Sequence, residues 1–184
     1  MLDKLRRWAR KLKAELLVLW FCRSHPDTPL AAKLLAALNH ALTEETRFGM
    51  FITLLYAVAD KQAKTLHYAA AGHDAILRYQ GRTQRCEFLK DARSLPVGLS
   101  DDAKYEQASC RIGKEDIFLL YTDGIHEARN HSRQEFSSER LKTCFQRNHK
   151  TAKEHADHIL KEIQNFTQGA PQHDDMTVVV FGLK

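Results

Sequence analysis

Apolar residues recur along this chain with two different periods, and each change of period marks a new element. Near the start, Leu2, Leu5, Trp8, Ala9, Leu12, Leu16 and Leu19 fall at helical spacing with basic residues between them, which predicts a basic amphipathic helix within residues 1–25. Pro26-Asp-Thr-Pro29 ends that segment and supplies the next helix start, with Thr28 as N-cap and Pro29 at the first helical position. The following helix carries Leu30, Leu34, Leu35, Leu38, Ala41 and Leu42 on one side. After a polar turn closing at Gly49 the pattern becomes strand-like. Phe51 to Val58 is rich in β formers, Asp60-Lys-Gln makes a turn, and Thr65 to Ala71 reads as the returning strand of a hairpin. Gly72-His73-Asp74 interrupts it, Ile76 to Tyr79 resumes, and Leu95-Pro-Val-Gly98 marks a loop. Tyr105 to Ile112 alternates weakly, as an outer strand does. Helical spacing returns with Phe136, Leu141 and Phe145, then with Ala152, Ala156, Ile159, Leu160, Ile163 and Phe166, until Gly169-Ala-Pro171 stops it. Helices flanking a mostly antiparallel run of strands predict an α+β layered domain over residues 26–184.

Two stretches carry the candidate chemistry. Ile117 to Tyr121 is an unbroken apolar run, predicting a strand buried on both faces, and it stops at Asp123-Gly124. Near the C-terminus, Gln172-His173-Asp174-Asp175 immediately precedes the apolar strand Met176 to Phe181. If the two strands run antiparallel in one sheet, the exit of the first and the entry of the second share an edge. Asp123 and Asp174 then stand together as hard oxygen donors suited to Mg²⁺ or Mn²⁺. As ordinary turn residues, Asp-Gly and Asp-Asp need no metal at all.

Composition narrows the classes. The chain has 184 residues, 43% of them hydrophobic, enough for one domain with a real core. Its net charge of +5 lies in the first 24 residues, which hold seven basic and two acidic side chains, so the body is balanced and offers no basic groove for nucleic acid. The amphipathic start could instead lie on an anionic membrane surface, although packing of such a helix on its own domain is the commoner arrangement. Cys22, Cys86, Cys110 and Cys144 form no C-x-x-C pair, which signals neither a zinc site nor a disulfide framework. No apolar run approaches the roughly 20 residues of a membrane span. Free thiols and the lack of a secretory leader pattern predict a cytoplasmic protein.

Six separated pieces agree with one family. In order they are LLAALNHAL, MFITLLYAV, HYAAAGHDAILRY, LPVGL, DIFLLYTDGIHEARN and PQHDDMTVVV. From about Pro29 onward the chain resembles the C-terminal two thirds of the SpoIIE branch of the PPM-type, metal-dependent serine/threonine protein phosphatases. That resemblance implies a β-sandwich flanked by helices. It also implies hydrolysis of phosphoserine or phosphothreonine in a regulatory protein, as in partner-switching signalling, by water activated on two Mn²⁺ or Mg²⁺ ions. Asp123 and Asp174 match the family's metal ligands, with Gly124, Asp175 and His73 in supporting places. The sequence departs from the family upstream. It contains no Gly-Asp pair, so the bridging carboxylate and the first strands of the family are missing, and the basic helix stands in their place. The expected sandwich is therefore incomplete, one ion or none is expected, and uncovered sheet edges invite a dimer. Two alternatives stay open beside a phosphatase: a non-catalytic protein-binding module, and a gene fragment whose first strands are encoded separately.

The remaining candidates are weaker. His155 and His158, three apart on a helix, read as a solvated surface pair. His126 and His173 neighbour the two aspartates and offer nitrogen ligands only to a repaired site. No serine has the context of a hydrolase nucleophile.

Overall fold

The computed structural model describes residues 13–22 as backbone, together with residues 30–43, 50–147 and 151–183. The chain forms two compact units: residues 1–73 with 90–112, and residues 74–89 with 113–184.

The first unit is a sheet with one helix. Strand β1 (Lys13–Cys22) is followed by helix α1 (Leu30–Leu42), then by strands β2 (Phe51–Asp60), β3 (Thr65–Ala71), β6 (Arg93–Ser94) and β7 (Ala108–Arg111). The sheet runs β1-β2-β3-β6, with β7 also on β3. The helix predicted for the start of the chain is corrected here: residues 13–22 form a strand, parallel to β2 from Lys13↔Phe51 to Cys22↔Asp60. Helical spacing and a continuous apolar run coincide from Leu16 to Cys22, and pairing with a neighbouring strand satisfies a parallel strand of that composition equally well. The more basic residues 1–12 and the proposed cap at Thr28 and Pro29 lie outside the described residues.

The β2–β3 hairpin is as predicted, from Leu54↔Ala71 to Asp60↔Thr65. Asp60 makes its turn by accepting from the backbone N–H groups of Gln62 (2.9 Å) and Ala63 (2.8 Å). The expected outer strand is β7, paired antiparallel with β3. Helix α1 buries Ala31, Leu35 and Asn39 and packs Leu38 and Leu42 of the predicted stripe against the cluster that holds Ala31 and Leu35, while Leu34 is exposed. The buried Asn39 is engaged at both ends of its amide. Its Oδ1 accepts from Gly98 N (2.8 Å) and the Tyr105 hydroxyl (3.0 Å), and its Nδ2 donates to Ser100 O (2.9 Å). One buried amide thus ties α1 to the loop containing LPVGL. That loop is also pinned to β2 by paired backbone bonds between Ile52 and Val97, both 2.9 Å. It meets the end of β3 where Gly72 adopts φ +65 and a Cβ would stand 2.4 Å from Pro96.

The second unit carries strands β4 (Ile76–Gln80), β5 (Arg85–Leu89), β8 (Ile117–Tyr121) and β9 (Val178–Phe181), with helices α2 (Ser138–Phe145) and α3 (Ala152–Thr167). Its sheet is antiparallel in the order β5-β4-β8-β9. Strand β8 is central, with Phe118, Leu119, Leu120 and Tyr121 all buried. Leu77, Leu119 and Tyr121 share one apolar cluster with Ile125, Leu141, Phe145, Ile159 and Ile163, and so bind both helices to the sheet. His155 belongs to the interior too, 1% exposed, with its ring centroid 5.1 Å from Phe145 and 6.4 Å from Tyr79. This corrects the surface reading: residues 155, 159 and 163 follow each other at four-residue intervals on the inner face of α3, and only His158 lies toward the boundary.

A buried charge organises the loops at one end of this sheet. Asp116, 3% exposed, accepts from Arg78 Nε (3.1 Å) and Nη2 (2.5 Å), from Gly81 N (3.0 Å) and from Gly113 N (2.8 Å). Four donors on one carboxylate offset the cost of burying it. Among the described residues, no helix is long and apolar enough to cross a membrane.

Two outcomes follow from these anchors. Asn39→Ala strands the Gly98 N–H and the Tyr105 hydroxyl, and is expected to cost about 1–3 kcal/mol in urea unfolding; an unchanged midpoint would refute the anchoring role. The thiols of Cys86 and Cys144 are both buried, and burial pushes Cys86 up to about 11 despite the nearby Lys142. Cys110 should therefore react with a thiol reagent at neutral pH well before either. Because the unfolded Cys86 loses its proton near 9 and the folded one near 11, stability should be intact below pH 9 and fall between these values.

Candidate functional site

The two predicted acidic segments meet because the β8–β9 ladder continues one step beyond its strands. Tyr121 pairs with Val178 at the strand ends. Past that point Thr122 N donates to Thr177 O (3.2 Å), Thr177 N donates to the Thr122 hydroxyl oxygen (2.8 Å), and that hydroxyl donates to Asp175 O (3.1 Å). Thr122 itself is extended and buried. The chain then turns through a short 3-10 segment, Asp123–Ile125, fastened by Ile125 N to Thr122 O (3.1 Å) and Glu127 N to Asp123 O (2.9 Å). Ile125 is fully buried and anchors the turn in the core.

Gly124 is where the segments touch. A Cβ there would stand 2.3 Å from Asp175 O and 3.3 Å from Asp174 O. Glycine is required at this place by close backbone approach and not by an unusual φ. On the facing segment, the Asp174 carboxylate accepts from Asp175 N (2.8 Å) and Gln172 Nε2 donates to Asp174 O (2.7 Å). Asp123 is half-buried, whereas Asp174 and Asp175 are exposed. Asp123, Gly124, Asp174 and Asp175 thus belong to one rim of the second unit.

His126, one residue beyond the turn, sets its ring edge-on to Tyr121, with centroids 5.9 Å apart at 86°. Its Nδ1 lies 3.5 Å from Asp74 Oδ2. That nitrogen faces a carboxylate of the same unit. His173 is exposed on the facing segment. His73 is buried and belongs to the first unit, following the Gly72 turn against Pro96. Thr122 and Asp74 escaped the sequence reading. Thr122 precedes the Asp-Gly pair as an unremarkable polar residue, and only the hydrogen-bond requirement of a ladder running past its strand points to it.

The donor set can be tested against a divalent metal. Carboxylates at a common rim are the right chemical type for Mg²⁺ or Mn²⁺, but such an ion takes about six oxygen ligands. Among the described residues, no group of three or more His, Cys, Asp or Glu side chains is placed to hold a metal. The described residues therefore form no complete hard-cation site by themselves.

The family model described as Stage II sporulation protein E (SpoIIE) matches residues 7–184. The chain belongs to the SpoIIE family. Among its relatives, the phosphoserine phosphatase RsbU of Bacillus subtilis is 28% identical over 169 residues, covering 88% of this chain and 48% of RsbU. Protein IcfG of Synechocystis is 29% identical over 143 residues, covering 77% of this chain and 22% of IcfG. The chain therefore spans about half, or less, of the curated relatives it matches. The SiaA-PP2C domain of Pseudomonas aeruginosa superposes with a TM-score of 0.71 at 20% identity, over 84% of this chain and 61% of that one. That likeness establishes a PP2C-like α+β fold for this SpoIIE-family chain, as its motifs imply.

The contact at the rim is open to a direct check. Gly124→Ala drives a methyl into the Asp175 carbonyl, which no side-chain rotation relieves, and should lower stability by about 1–3 kcal/mol in urea unfolding. Thr122→Val removes a hydroxyl that both donates and accepts, with a cost of similar size, about 1–3 kcal/mol. Wild-type stability in both variants would mean that the two segments do not abut.

Proposed function

We propose that this chain is a phosphoprotein phosphatase domain that removes phosphate from serine or threonine of a small cytoplasmic regulatory protein. The observation supporting the reading is the abutment of the Asp123-Gly124 turn on Asp174-Asp175, in a chain of the SpoIIE family. Asp123 and Asp174 are its metal-binding residues. Gly124 permits their approach, Asp175 fixes the entry to β9 through its carbonyl, and His73 has a structural part in its own unit. The ion suited to these oxygen donors is Mn²⁺ or Mg²⁺, and the two carboxylates form a working centre only together with further oxygen donors.

What this chain itself contributes is placement. The Thr122 hydrogen bonds and the buried Ile125 hold one carboxylate in a turn of fixed conformation. The Asp174–Asp175 and Gln172–Asp174 hydrogen bonds shape the facing segment. Such fixed placement lets acidic side chains be brought near one another without reorganisation at the moment of reaction.

Phosphate release from a phosphoserine peptide tests the proposal. The expected result is Mn²⁺-dependent turnover that falls by at least about 100-fold in both Asp123→Asn and Asp174→Asn. No metal-dependent rate, or rates indifferent to both substitutions, would reject it. The partial donor set favours a second reading, a SpoIIE-like binding module without turnover. Partner binding that persists unchanged in EDTA, with no phosphate released, identifies that case. Strand β9 ends its sheet among the described residues, and we assign to this edge the dimer contact that light scattering would detect; a strictly monomeric mass at high concentration refutes it.

A further inference from the structure

Next to the acidic rim, the second unit has a cleft of about 320 Å³ between the C-terminal half of α3 and the segment leading into β9. That volume lies at the lower end for ligand sites, the scale of one or two side chains. Ile163 and Met176 are among its apolar lining, Leu160 and Pro171 contribute more, and Arg129 and His173 supply its basic groups. Leu160 is 40% exposed, whereas Ile159 and Ile163 of the same helix are buried.

Two features identify an occupant. First, the wall is continuous in sequence with the rim: Gln172 and His173 line the cleft, and the next residues are Asp174 and Asp175. A chain lying in the cleft runs past the acidic pair. Second, the charge is one-sided. The lining holds an arginine and a histidine and no carboxylate. Arg129 gives Nη2 to Glu135 (2.7 Å), which uses one of the five N–H donors of a guanidinium. Aliphatic side chains in the lining, with the Arg129 guanidinium at the edge, suit a peptide that carries an aliphatic side chain beside an anionic group.

We propose that this cleft is the docking site for the residues flanking the phosphoserine of the substrate phosphoprotein, and that it selects a leucine-like side chain beside the phosphorylated position. The proposal rests on the phosphatase reading for the identity of the substrate, but binding in the cleft does not depend on turnover. Leu160 and Ile163 take the aliphatic side chain, and Arg129 with His173 face the anionic part of the peptide.

Two short fluorescein-labelled peptides test it on the full chain, one with phosphoserine beside Leu-Leu and a twin with the uncharged polar pair Asn-Asn. Fluorescence polarisation in EDTA measures binding without hydrolysis. The leucine peptide should bind at least about tenfold more tightly than its twin. Leu160→Asp, a surface change, and Thr167→Trp, which fills the cleft, should each abolish that preference while leaving the circular dichroism unchanged. Asp174→Asn should retain it. Equal binding of the two peptides, or a preference that survives both cleft variants, overturns the proposal. A preference for leucine with no phosphate released in Mn²⁺ leaves the cleft standing and removes the hydrolytic reading. Turnover of both peptides with equal KM has the opposite meaning.

Discussion

The candidate site depends on one side chain of modest size. Thr122 lets the β8–β9 pairing outlast its strands, because a single hydroxyl satisfies a carbonyl and an amide N–H on the opposing segment. Backbone polar groups at the end of a sheet otherwise turn to water, and the two chain segments drift apart. Here they stay in contact long enough for Gly124 to sit directly on Asp175. The central position of β8, with four consecutive buried residues, gives this contact a rigid base.

Much of this arrangement was legible in the residues. An apolar run that ends in Asp-Gly, and a second that begins after Asp-Asp, can share an edge in only one relative direction, which the antiparallel register of β8 and β9 bears out. The hairpin between β2 and β3 was equally plain, since alternating β formers surround a turn whose aspartate caps its own backbone. Elsewhere one pattern satisfied two structures. From Leu16 to Cys22 an apolar run fits a strand as well as the face of a helix, and the choice is made by a partner, β2, that is distant in sequence. The burial of His155 was hidden for another reason: a polar residue type was weighed by its chemistry, although its four-residue spacing from Ile159 and Ile163 marked the inner face. Asn39 was hidden in the same way, a polar residue buried on the inner face of its helix by the hydrogen bonds of its amide.

The family motifs divide between the two units. LLAALN, LPVGL and the Gly72 turn hold one another together in the first, through Asn39, Val97 and Pro96. The Thr122-Asp-Gly and Asp-Asp-Met-Thr motifs join in the second. Several residues that make a SpoIIE-family sequence recognisable thus act as internal joints. A chain can keep those joints, and the fold they secure, independently of how many metal ligands it carries.

The two units also differ in the kind of polar group that closes their loops. In the second unit the fastening is ionic, a carboxylate at Asp116 held by Arg78 and two amides. In the first it is the uncharged carboxamide of Asn39. A carboxamide carries no net charge for dissolved ions to screen, and it neither gains nor loses a proton across the range in which cells live. The loop bearing Leu95 and Leu99 is therefore moored by a contact that stays the same when the surrounding electrolyte changes.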